Sequence, residues 1–394
     1  MSWRKLLLQE GPNFIKWLDE SNARLNALSK LAGYLELFLI NTLRSPEDCI
    51  SFWNAIPLVR TACNFNETYE LPFASAAYAY VHLLDRYWRT WEVLIELTNK
   101  GALPLGPEGV RVLDVGTGPA PTPYAIQDYY ALLRKYGDAN GIAKFSIQNT
   151  NFTIVESSPS MRHFIHLFSE TCSRPGPFGA DIIDFGDVNP PAKRKALYKY
   201  LRDTEYYDGD DYYLEYLPEE ANMIAQRYQR FRMVVFSNFF TVEHTVRKFR
   251  DTLDVLLGDL RSGTVMLVLG ATGNQYKNIY TQITKISKNK GFVELIEVDE
   301  MLGKSAQSSL AQRIIKQCQH SVFKHLVELA GRETIQESIS LQEYAYRDFA
   351  EKQEIELPLD IRWPDYWTPT PYARKKLTFS LKAYRKGKWT RRTA

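Results

Sequence analysis

The segment Val112–Pro121 constrains the fold of this chain more than any other feature. Its first four residues, Val112–Val115, are mainly bulky and apolar, as a buried parallel strand requires. Gly116 and Gly118 follow at once, and glycine permits backbone angles and close approaches that larger residues forbid. The segment therefore predicts a strand that runs into a tight turn and then a helix, the point in an α/β fold where a ligand contacts the backbone.

The residues of this turn have two main interpretations. A dinucleotide fold has the spacing G-x-G-x-x-G, whereas Gly116–Pro121 contains two prolines and no third glycine, which argues against a pyrophosphate ligand. The pattern Asp114-x-Gly116-x-Gly118 instead resembles motif I of the class I S-adenosylmethionine-dependent methyltransferases. An ordinary strand-to-helix turn is the alternative. The resemblance implies S-adenosylmethionine as cofactor, S-adenosylhomocysteine as product, and cofactor contacts by Asp114, Gly116, Thr117, Gly118 and Pro119.

A second strand supports this resemblance. Phe152–Val155 is short and rich in β-formers, and it runs into Glu156 and then into a predicted helix start. In the methyltransferase superfamily the acid at the tip of the second strand accepts the ribose hydroxyls, and Glu156 occupies the matching position. The resemblance also implies cofactor contacts by Ser157 and Met161 in the segment that follows.

The interval between the two motifs is unusually long. Glu156 lies 38 residues after Gly118, against an interval of about 20 in related folds. The segment Tyr136–Asn151 is rich in Gly, Asp and Asn. We expect this segment to form a surface loop extension that accounts for the excess.

A third strand is predicted within Ala180–Asp187, where acids stand near the end of the apolar run. The resemblance implies that an acid here holds the adenine amino group. Asp184 and Asp187 both qualify, and their spacing does not choose between them. A loop acid that faces water is the alternative for either residue.

A fourth strand, Phe231–Phe236, is followed by Ser237, Asn238, Phe239 and Phe240. The carboxyl edge of an open sheet is where ligands collect, so we expect Asn238 and Phe239 to position a methyl acceptor and Ser237 to contact the cofactor. Enzymes of the superfamily that methylate adenine amines have two prolines here, and this chain has none. Adenine-N6 chemistry is therefore not predicted. In the alternative interpretation, the two phenylalanines pack under the next helix.

The remaining strands and helices complete an α/β prediction. The first hundred residues show helical spacing, including a helix over Ala74–Thr98. Thr264–Gly270 predicts a fifth strand, and Lys376–Tyr384 predicts an antiparallel final strand. The predicted fold is a Rossmann-like class I methyltransferase sheet, mostly parallel with its last strand antiparallel, carrying a helical N-terminal domain and helical insertions.

The predicted domain organisation follows from these elements. It comprises a helical N-terminal domain at 1–108, a core at 109–300 plus 372–388, a polar insertion at 189–230, and a helical insertion or cap at 301–371. The break at 101–109 carries three glycines and two prolines and ends the N-terminal helices.

Composition indicates an ordinary globular protein. The 394 residues are 45% hydrophobic and 24% charged. Apolar runs are far shorter than the roughly 18 residues of a membrane span, and the first residues lack the apolar core of a secretion signal, so we expect a cytoplasmic protein without a membrane contact. The four cysteines are far apart, which favours neither a disulfide framework nor a metal site.

Three runs carry a narrower resemblance: Tyr69–Tyr78, Val112–Pro119 and Ile154–Met161. In this order they resemble the ribosomal-small-subunit methyltransferase-like proteins of mitochondria and bacteria, over roughly residues 65–275. The cysteine cluster with which many members of that family bind an iron–sulfur cluster is absent from this sequence. The resemblance implies methylation of RNA or a ribosomal component. A small-molecule methyltransferase and an inactive cofactor-binding assembly protein are the alternatives.

The charge distribution bears on the partner. Net charge is only +3, but basic residues concentrate at the C-terminus, with Tyr384 and Trp389 among them. Such a region can contact phosphates and stack on bases, which predicts an RNA or ribosomal partner, while a solvated final strand is the alternative. The basic residues are Arg374, Lys375, Lys376, Lys382, Arg385, Lys386, Lys388, Arg391 and Arg392.

Overall fold

A computed structural model provides the three-dimensional structure of the protein. It describes residues 2–61, 71–172, 182–183, 231–240, 243–270, 274–302, 306–335 and 378–387. The predicted polar insertion at 189–230 lies outside these ranges.

Seven strands of the described residues form one sheet in the order β3-β2-β1-β4-β5-β7-β6. They are β1 Val110–Val115, β2 Thr150–Val155, β3 Ile182–Ile183, β4 Met233–Ser237, β5 Val265–Gly270, β6 Phe292–Leu302 and β7 Thr378–Lys386. Neighbouring strands are parallel except where β7 runs antiparallel to β5 and β6. The predicted Rossmann-like sheet, mostly parallel with its last strand antiparallel, is confirmed.

The helices cover both faces of this sheet. Their bounds are α1 Trp3–Glu20, α2 Ala23–Thr42, α3 Pro46–Thr61, α4 Ala74–Asn99, α5 Pro121–Ala139, α6 Ala143–Ser146, α7 Pro159–Thr171, α8 Glu243–Lys248, α9 Arg250–Asp259, α10 Asn274–Asn289 and α11 Ala306–Ala330. Alternate residues of the central strands enter two different cores. In β4, for example, Met233 and Val235 join the core under α1–α5, whereas Val234 and Phe236 join the core under α8–α10. Burial on both faces explains why these strands are continuously apolar.

Strand β6 was not predicted from the sequence. Its side chains do not alternate regularly between apolar and polar, because the pairing with β7 shifts register between Glu294 and Ile296 and again between Val298 and Met301. Such irregularities interrupt the two-residue period by which a strand is recognised. Because β6 ends at Leu302, it also extends two residues into the segment 301–371 that was predicted as a helical insertion or cap.

The predicted surface loop at Tyr136–Asn151 is wrong for most of its length. Helix α5 continues to Ala139, and Tyr136 and Phe145 are buried. Gly137 permits this packing, because a Cβ on Gly137 would lie 2.6 Å from Cβ of Phe145. The two aromatic anchors outweigh the turn-forming residues around them.

The N-terminal helices and α11 form one layer, which we call the helical layer (α1–α4 and α11). Helix α11 packs on α2, α3 and α4, although a long stretch of sequence separates them. Tyr80 of α4 donates its hydroxyl proton to the carbonyl of Gln319 at 3.1 Å, and Gln319 Nε2 donates to the carbonyl of Tyr80 at 3.1 Å. In the described ranges, no helix combines the length and apolar character that crossing a membrane requires.

Candidate cofactor site

The glycine turn after β1 lies where the strand order of the sheet reverses, between β1 and β4. Strand β1 is flanked by β2 on one side and β4 on the other, so the carboxyl ends of these three strands meet at one edge. Gly116 has φ of +68° and Gly118 has φ of +56°, angles that disfavour any residue with a Cβ. The predicted strand, turn and helix are confirmed.

The amide groups of this turn are bonded within the protein. Gly116 N–H and Thr117 N–H donate to the Val155 carbonyl at 2.8 and 3.3 Å, and Gly118 N–H donates to Glu156 Oε2 at 2.7 Å. A dinucleotide turn keeps such donors for its pyrophosphate. The geometry therefore does not provide a pyrophosphate cradle here.

The start of helix α5 offers few donors in addition. Its first and third residues, Pro121 and Pro123, have no N–H group, and Tyr124 N–H donates to the Ala120 carbonyl at 3.3 Å. Among the first three residues only Thr122 brings an N–H group. A helix start of this composition is a poor site for an anion. Pro119 is buried within the turn.

Asp114 lies fully buried beneath the turn. Its Oδ2 accepts a hydrogen bond from the Thr117 hydroxyl group, with 2.5 Å between the oxygens, while the buried Oδ1 has no hydrogen-bond partner among the described residues. Burial raises the pKa of Asp114 to about 7; the Thr117 hydrogen bond lowers this pKa and the charge of Glu156 raises it further. The orphaned oxygen is suited to accept a hydrogen bond from a ligand or its water.

Glu156 stands at the tip of β2, as predicted, and reaches the turn. Its Oε2 accepts from Gly118 N–H at 2.7 Å and its Oε1 accepts from Ser158 N–H at 3.0 Å. Burial raises the pKa of Glu156, and these two backbone donors lower it. The structure thus brings Glu156 and Gly118 together across the long interval. A carboxylate oxygen has two acceptor sites, so each oxygen retains capacity for a hydroxyl donor.

The residues after Glu156 differ in exposure. Ser157 is exposed, and Met161 is 2% exposed with its side chain in the core. Ser158 caps α7, since its hydroxyl oxygen accepts from Met161 N–H at 3.2 Å. Arg162 Nη1 donates to the carbonyls of Glu156 and Ser157 at 2.8 and 3.0 Å. The cofactor contacts predicted for Ser157 and Met161 remain predictions.

The predicted acceptor residues lie beside the same turn. Asn238 adopts φ of +54°, and its N–H donates to the Leu269 carbonyl at 2.8 Å. The Asn238 side-chain amide donates to the hydroxyl oxygen of Ser237 at 3.3 Å. A Cβ on Gly116 would lie 2.3 Å from Cδ2 of Phe239, so the Phe239 ring packs directly on the turn. Because β4 pairs in parallel with β1, the residues after β4 lie next to the predicted cofactor residues after β1.

The phenylalanines also pack among themselves. The Phe239 ring lies 4.9 Å from Phe240 and 5.3 Å from Phe249, measured between centroids. Phe240 is 3% exposed and belongs to the core under α8–α10. The alternative interpretation, packing under the next helix, therefore holds for Phe240, while Phe239 is half-buried and borders the turn. Asp184 and Asp187 lie outside the described residues.

Helix α4 supplies side chains that sequence reasoning missed. Tyr78 Cε1 would lie 3.5 Å from a Cβ on Gly118. The His82 ring lies 4.7 Å from the Tyr78 ring, and Arg86 Nη1 donates to the Tyr78 hydroxyl oxygen. The three residues recur every four positions and so share one face of the helix. The four-residue spacing of these polar side chains could have indicated a functional face of the helix. The many apolar residues around them instead favoured a helix that only packs in the core.

The described residues of the basic C-terminal region are engaged inside the fold. Lys382 forms an ion pair with Glu297, Arg385 donates to the Ala102 carbonyl at 3.1 Å, and Lys386 donates to the Leu257 carbonyl at 2.6 Å. These three cations stabilise β7 and its neighbours. Arg374, Lys375, Lys376, Lys388, Arg391 and Arg392 lie outside the described residues.

No cluster of metal-binding side chains is found within the described ranges. Cys49, Cys172 and Cys318 are buried in three different helical regions, and Cys63 lies outside those ranges. Burial raises the pKa of the Cys49 thiol to about 11 and of the Cys318 thiol to about 12. Both thiols are therefore protonated at neutral pH.

No family model matches this sequence, and no curated protein matches it. Among solved structures, similarity is found to the [4+2]-cyclase SpnF, with 13% identity, coverage of 77% of this chain and 81% of the cyclase, and a TM-score of 0.33. A putative sarcosine dimethylglycine methyltransferase from Galdieria sulphuraria has 13% identity, coverage of 76% and 86%, and a TM-score of 0.35. A SAM-dependent methyltransferase from Geobacter sulfurreducens, in complex with S-adenosyl-L-homocysteine, has 13% identity, coverage of 76% and 90%, and a TM-score of 0.33. At such scores the likeness carries no functional argument, and the fold assignment rests on the sheet order itself.

Proposed function

We propose that this protein is an S-adenosylmethionine-dependent methyltransferase. The observation that carries the proposal is the combination, at one sheet edge, of turn amides bonded internally with the buried carboxyl groups of Asp114 and Glu156. Such a site disfavours a pyrophosphate and suits a ligand that brings hydroxyl groups and positive charge. S-adenosylmethionine has ribose hydroxyls, an ammonium group and a sulfonium centre.

The residues have distinct tasks in this proposal. Glu156 accepts hydrogen bonds from the ribose hydroxyls, and the orphaned Oδ1 of Asp114 accepts a hydrogen bond from the amino acid end of the cofactor. Asn238 and Phe239, at the tip of β4, line the space that the acceptor occupies. The bound cofactor supplies the methyl group for an in-line displacement, so the main contribution of the chain is to hold donor and acceptor at attack distance and to exclude water.

For the acceptor we propose RNA or a ribosomal component. The support is the resemblance of three sequence runs to ribosomal methyltransferase-like proteins, together with the basic residues of the C-terminal region outside the described ranges. Lys382, Arg385 and Lys386 do not add to this support, because they bond within the fold.

Calorimetry tests cofactor binding. We expect the wild-type protein to bind S-adenosylmethionine and S-adenosylhomocysteine, but not NAD⁺. Glu156→Gln should weaken binding by about 10- to 100-fold, since it removes hydrogen bonds to a charged group. Glu170→Gln, at an exposed acid of α7, is the matched control and should bind like wild type. Binding of NAD⁺ in place of S-adenosylmethionine would contradict the proposal.

Transfer of a labelled methyl group tests the acceptor. Purified protein is incubated with methyl-labelled S-adenosylmethionine and cell extract, which is then separated into RNA, protein and metabolites. Label in RNA or ribosomal protein supports the acceptor class proposed here. Label only in metabolites would reject the RNA or ribosomal acceptor but would still support a methyltransferase activity. Cofactor binding without any transfer identifies a cofactor-binding protein instead.

A further inference from the structure

The edge of the sheet that lies opposite the glycine turn carries three arginines. Arg232 directly precedes β4, and Arg385 of β7 pairs with Val265, the first residue of β5. The parallel strands begin at this edge and end at the predicted cofactor site. Arg4 of α1 lies close enough to Arg385 for its charge to act on that residue. We call Arg4, Arg232 and Arg385 the arginine surface.

The loop at 100–109, between α4 and β1, supports two of these side chains. Arg385 Nη2 donates to the Ala102 carbonyl at 3.1 Å. A Cβ on Gly101 would lie 3.4 Å from Cγ of Arg4. Side chains from α1 and β7 therefore pack on neighbouring residues of one loop.

The same loop supports Arg232. A Cβ on Gly106 would lie 3.6 Å from both Nε and Nη2 of Arg232. Gln148 fixes the loop at this point, because Gly106 N–H donates to Gln148 Oε1 at 3.1 Å and Gln148 Nε2 donates to the Gly106 carbonyl at 3.0 Å. The arginine surface thus stands on a backbone that is itself held in place by hydrogen bonds.

The charges of the arginine surface are only partly compensated. Burial lowers the pKa of Arg385, and the charge of Arg4 lowers it further, so two like charges lie near each other. Burial also lowers the pKa of Arg232, and the charge of Glu108 raises it. Among the described residues, no hydrogen bond or ion pair engages the guanidinium of Arg4 or of Arg232. Because Arg385 uses one N–H group for the loop, the surface retains donors for an anion.

Arginines held in this way suit phosphate groups. A guanidinium keeps its charge at any physiological pH and presents planar donors that match the oxygens of a phosphate. A rigid support also reduces the conformational entropy that is lost on binding. The sequence after Gly387 adds Lys388, Arg391 and Arg392, which lie outside the described residues. A nucleic acid backbone, with its regularly repeated phosphates, fits several neighbouring cations.

We propose that the arginine surface binds the phosphate backbone of an RNA, at the edge of the sheet opposite the cofactor site. The inference rests on the proposed RNA acceptor and gives that acceptor a second contact, away from the reacting atoms. Strand β5 has six residues, so the two edges lie about 20 Å apart. At ~3.4 Å per stacked nucleotide, an RNA that contacts both edges contains at least about six nucleotides.

Fluorescence anisotropy tests the surface without any need for turnover. A fluorescein-labelled single-stranded RNA of about 20 nucleotides is titrated with the full-length protein at several salt concentrations, and we expect the affinity to fall as salt rises. Absence of RNA binding by the wild-type protein would overturn the inference, whereas calorimetry with S-adenosylmethionine decides the proposed cofactor function separately. Competition by polyglutamate as effective as that by unlabelled RNA would indicate an acidic protein partner and would overturn the RNA assignment.

Single substitutions locate the contact. Arg4→Gln and Arg232→Gln should each weaken RNA binding by about 3- to 10-fold and reduce the slope of log affinity against log salt by about 0.7. Their affinity for S-adenosylmethionine should stay that of wild type, because the cofactor site lies at the other edge. Arg313→Gln, at an exposed arginine of α11, is the matched control for the exposed Arg4 and should leave RNA binding unchanged. If Arg4→Gln binds RNA as tightly as Arg313→Gln, the RNA lies elsewhere and the inference is wrong.

Discussion

At the scale of single residues, the candidate site depends on burial of groups that are costly to bury. Asp114 is fully buried with one oxygen unpartnered, and the pKa of its carboxyl is about 7 instead of the ordinary 3.8. A group with such a pKa is protonated in the fold at a pH where the unfolded chain has already lost the proton. The residue is therefore a source of pH-dependent instability that an isosteric amide would remove.

The Asp114→Asn variant tests this sign. Asp114 favours the folded state most strongly below about pH 4, and this contribution is lost as the pH rises from 4 to 7. We expect Asp114→Asn to remove this loss, so that at pH 8 the variant is more stable than wild type by on the order of 1–4 kcal/mol. Urea unfolding at pH 5 and pH 8 measures the difference. An identical pH dependence of both proteins would show that Asp114 is not the group responsible.

Two glycines with nearly the same φ allow the cost of backbone strain to be distinguished from the cost of a steric clash at the turn. Gly116 has φ of +68° and packs on Phe239, whereas Gly141 has φ of +67° and open space where a Cβ would stand. We expect Gly141→Ala to destabilise the protein by about 1–2 kcal/mol through backbone strain, and Gly116→Ala to cost a further 1–3 kcal/mol, roughly, through the clash. Urea unfolding measures both free energies.

A double variant completes that comparison. In a Phe239→Ala background the added cost of Gly116→Ala should fall to that of Gly141→Ala, since the ring has gone. Equal costs in both backgrounds would mean that Phe239 moves aside without strain.

At the scale of secondary-structure elements, one buried ion pair joins helices α2 and α4. Arg24 is 3% exposed, and its guanidinium lies 3.4 Å from the centre of the Trp88 ring while it pairs with Glu92. Burial lowers the pKa of Arg24, and the charge of Glu92 raises it. The negative charge of Glu92 offsets the free-energy cost of burying the Arg24 charge inside the helical layer. Removal of either partner would leave the other charge uncompensated.

Removing one partner should be expensive. We expect Glu92→Gln to destabilise the protein by about 3–5 kcal/mol, because it leaves the Arg24 charge buried without compensation. Glu96→Gln provides the control one turn later on α4, where Glu96 pairs with the exposed Lys100 at 3.8 Å. That change should cost less than about 1 kcal/mol. Thermal and urea unfolding of the two variants give the comparison, and similar costs would contradict the role assigned to the buried pair.

At the scale of the whole molecule, the helical layer and the sheet share a core. Trp88 and Trp91 of α4 belong to the same buried cluster as Val235 of β4 and Leu267 of β5. The predicted N-terminal domain and the described part of the predicted cap therefore pack together and onto the sheet. This arrangement explains how α4 can border a turn that lies at the edge of the sheet.

A shared core predicts cooperative unfolding. Hydrogen exchange measured by mass spectrometry in increasing urea should show peptides of α4 and of β4–β5 merging into one opening reaction with one free energy. Independent domains would instead give α4 a lower opening free energy and a separate dependence on urea. That result would show that the N-terminal helices fold apart from the sheet.

The sequence by itself determined the strands other than β6, the turn and the acid after β2, because these depend on local patterns. Apolar runs predict strands buried on both faces, and Gly116 and Gly118 stand where the backbone adopts positive φ. The same reasoning failed at β6, where bulges break the alternation, and at Tyr136–Asn151, where buried aromatic residues override turn-forming neighbours.

Only the tertiary structure decided which side chains meet. Long-range packing brings Glu156 to Gly118, Phe239 to Gly116, and Tyr78 of the N-terminal region to the same turn. It also directs Lys382 and Lys386 into the fold, where the sequence had suggested a surface for RNA. Local sequence specifies backbone conformation through sterics and periodicity, whereas the approach of distant side chains depends on how helices and sheet pack to bury their apolar surfaces.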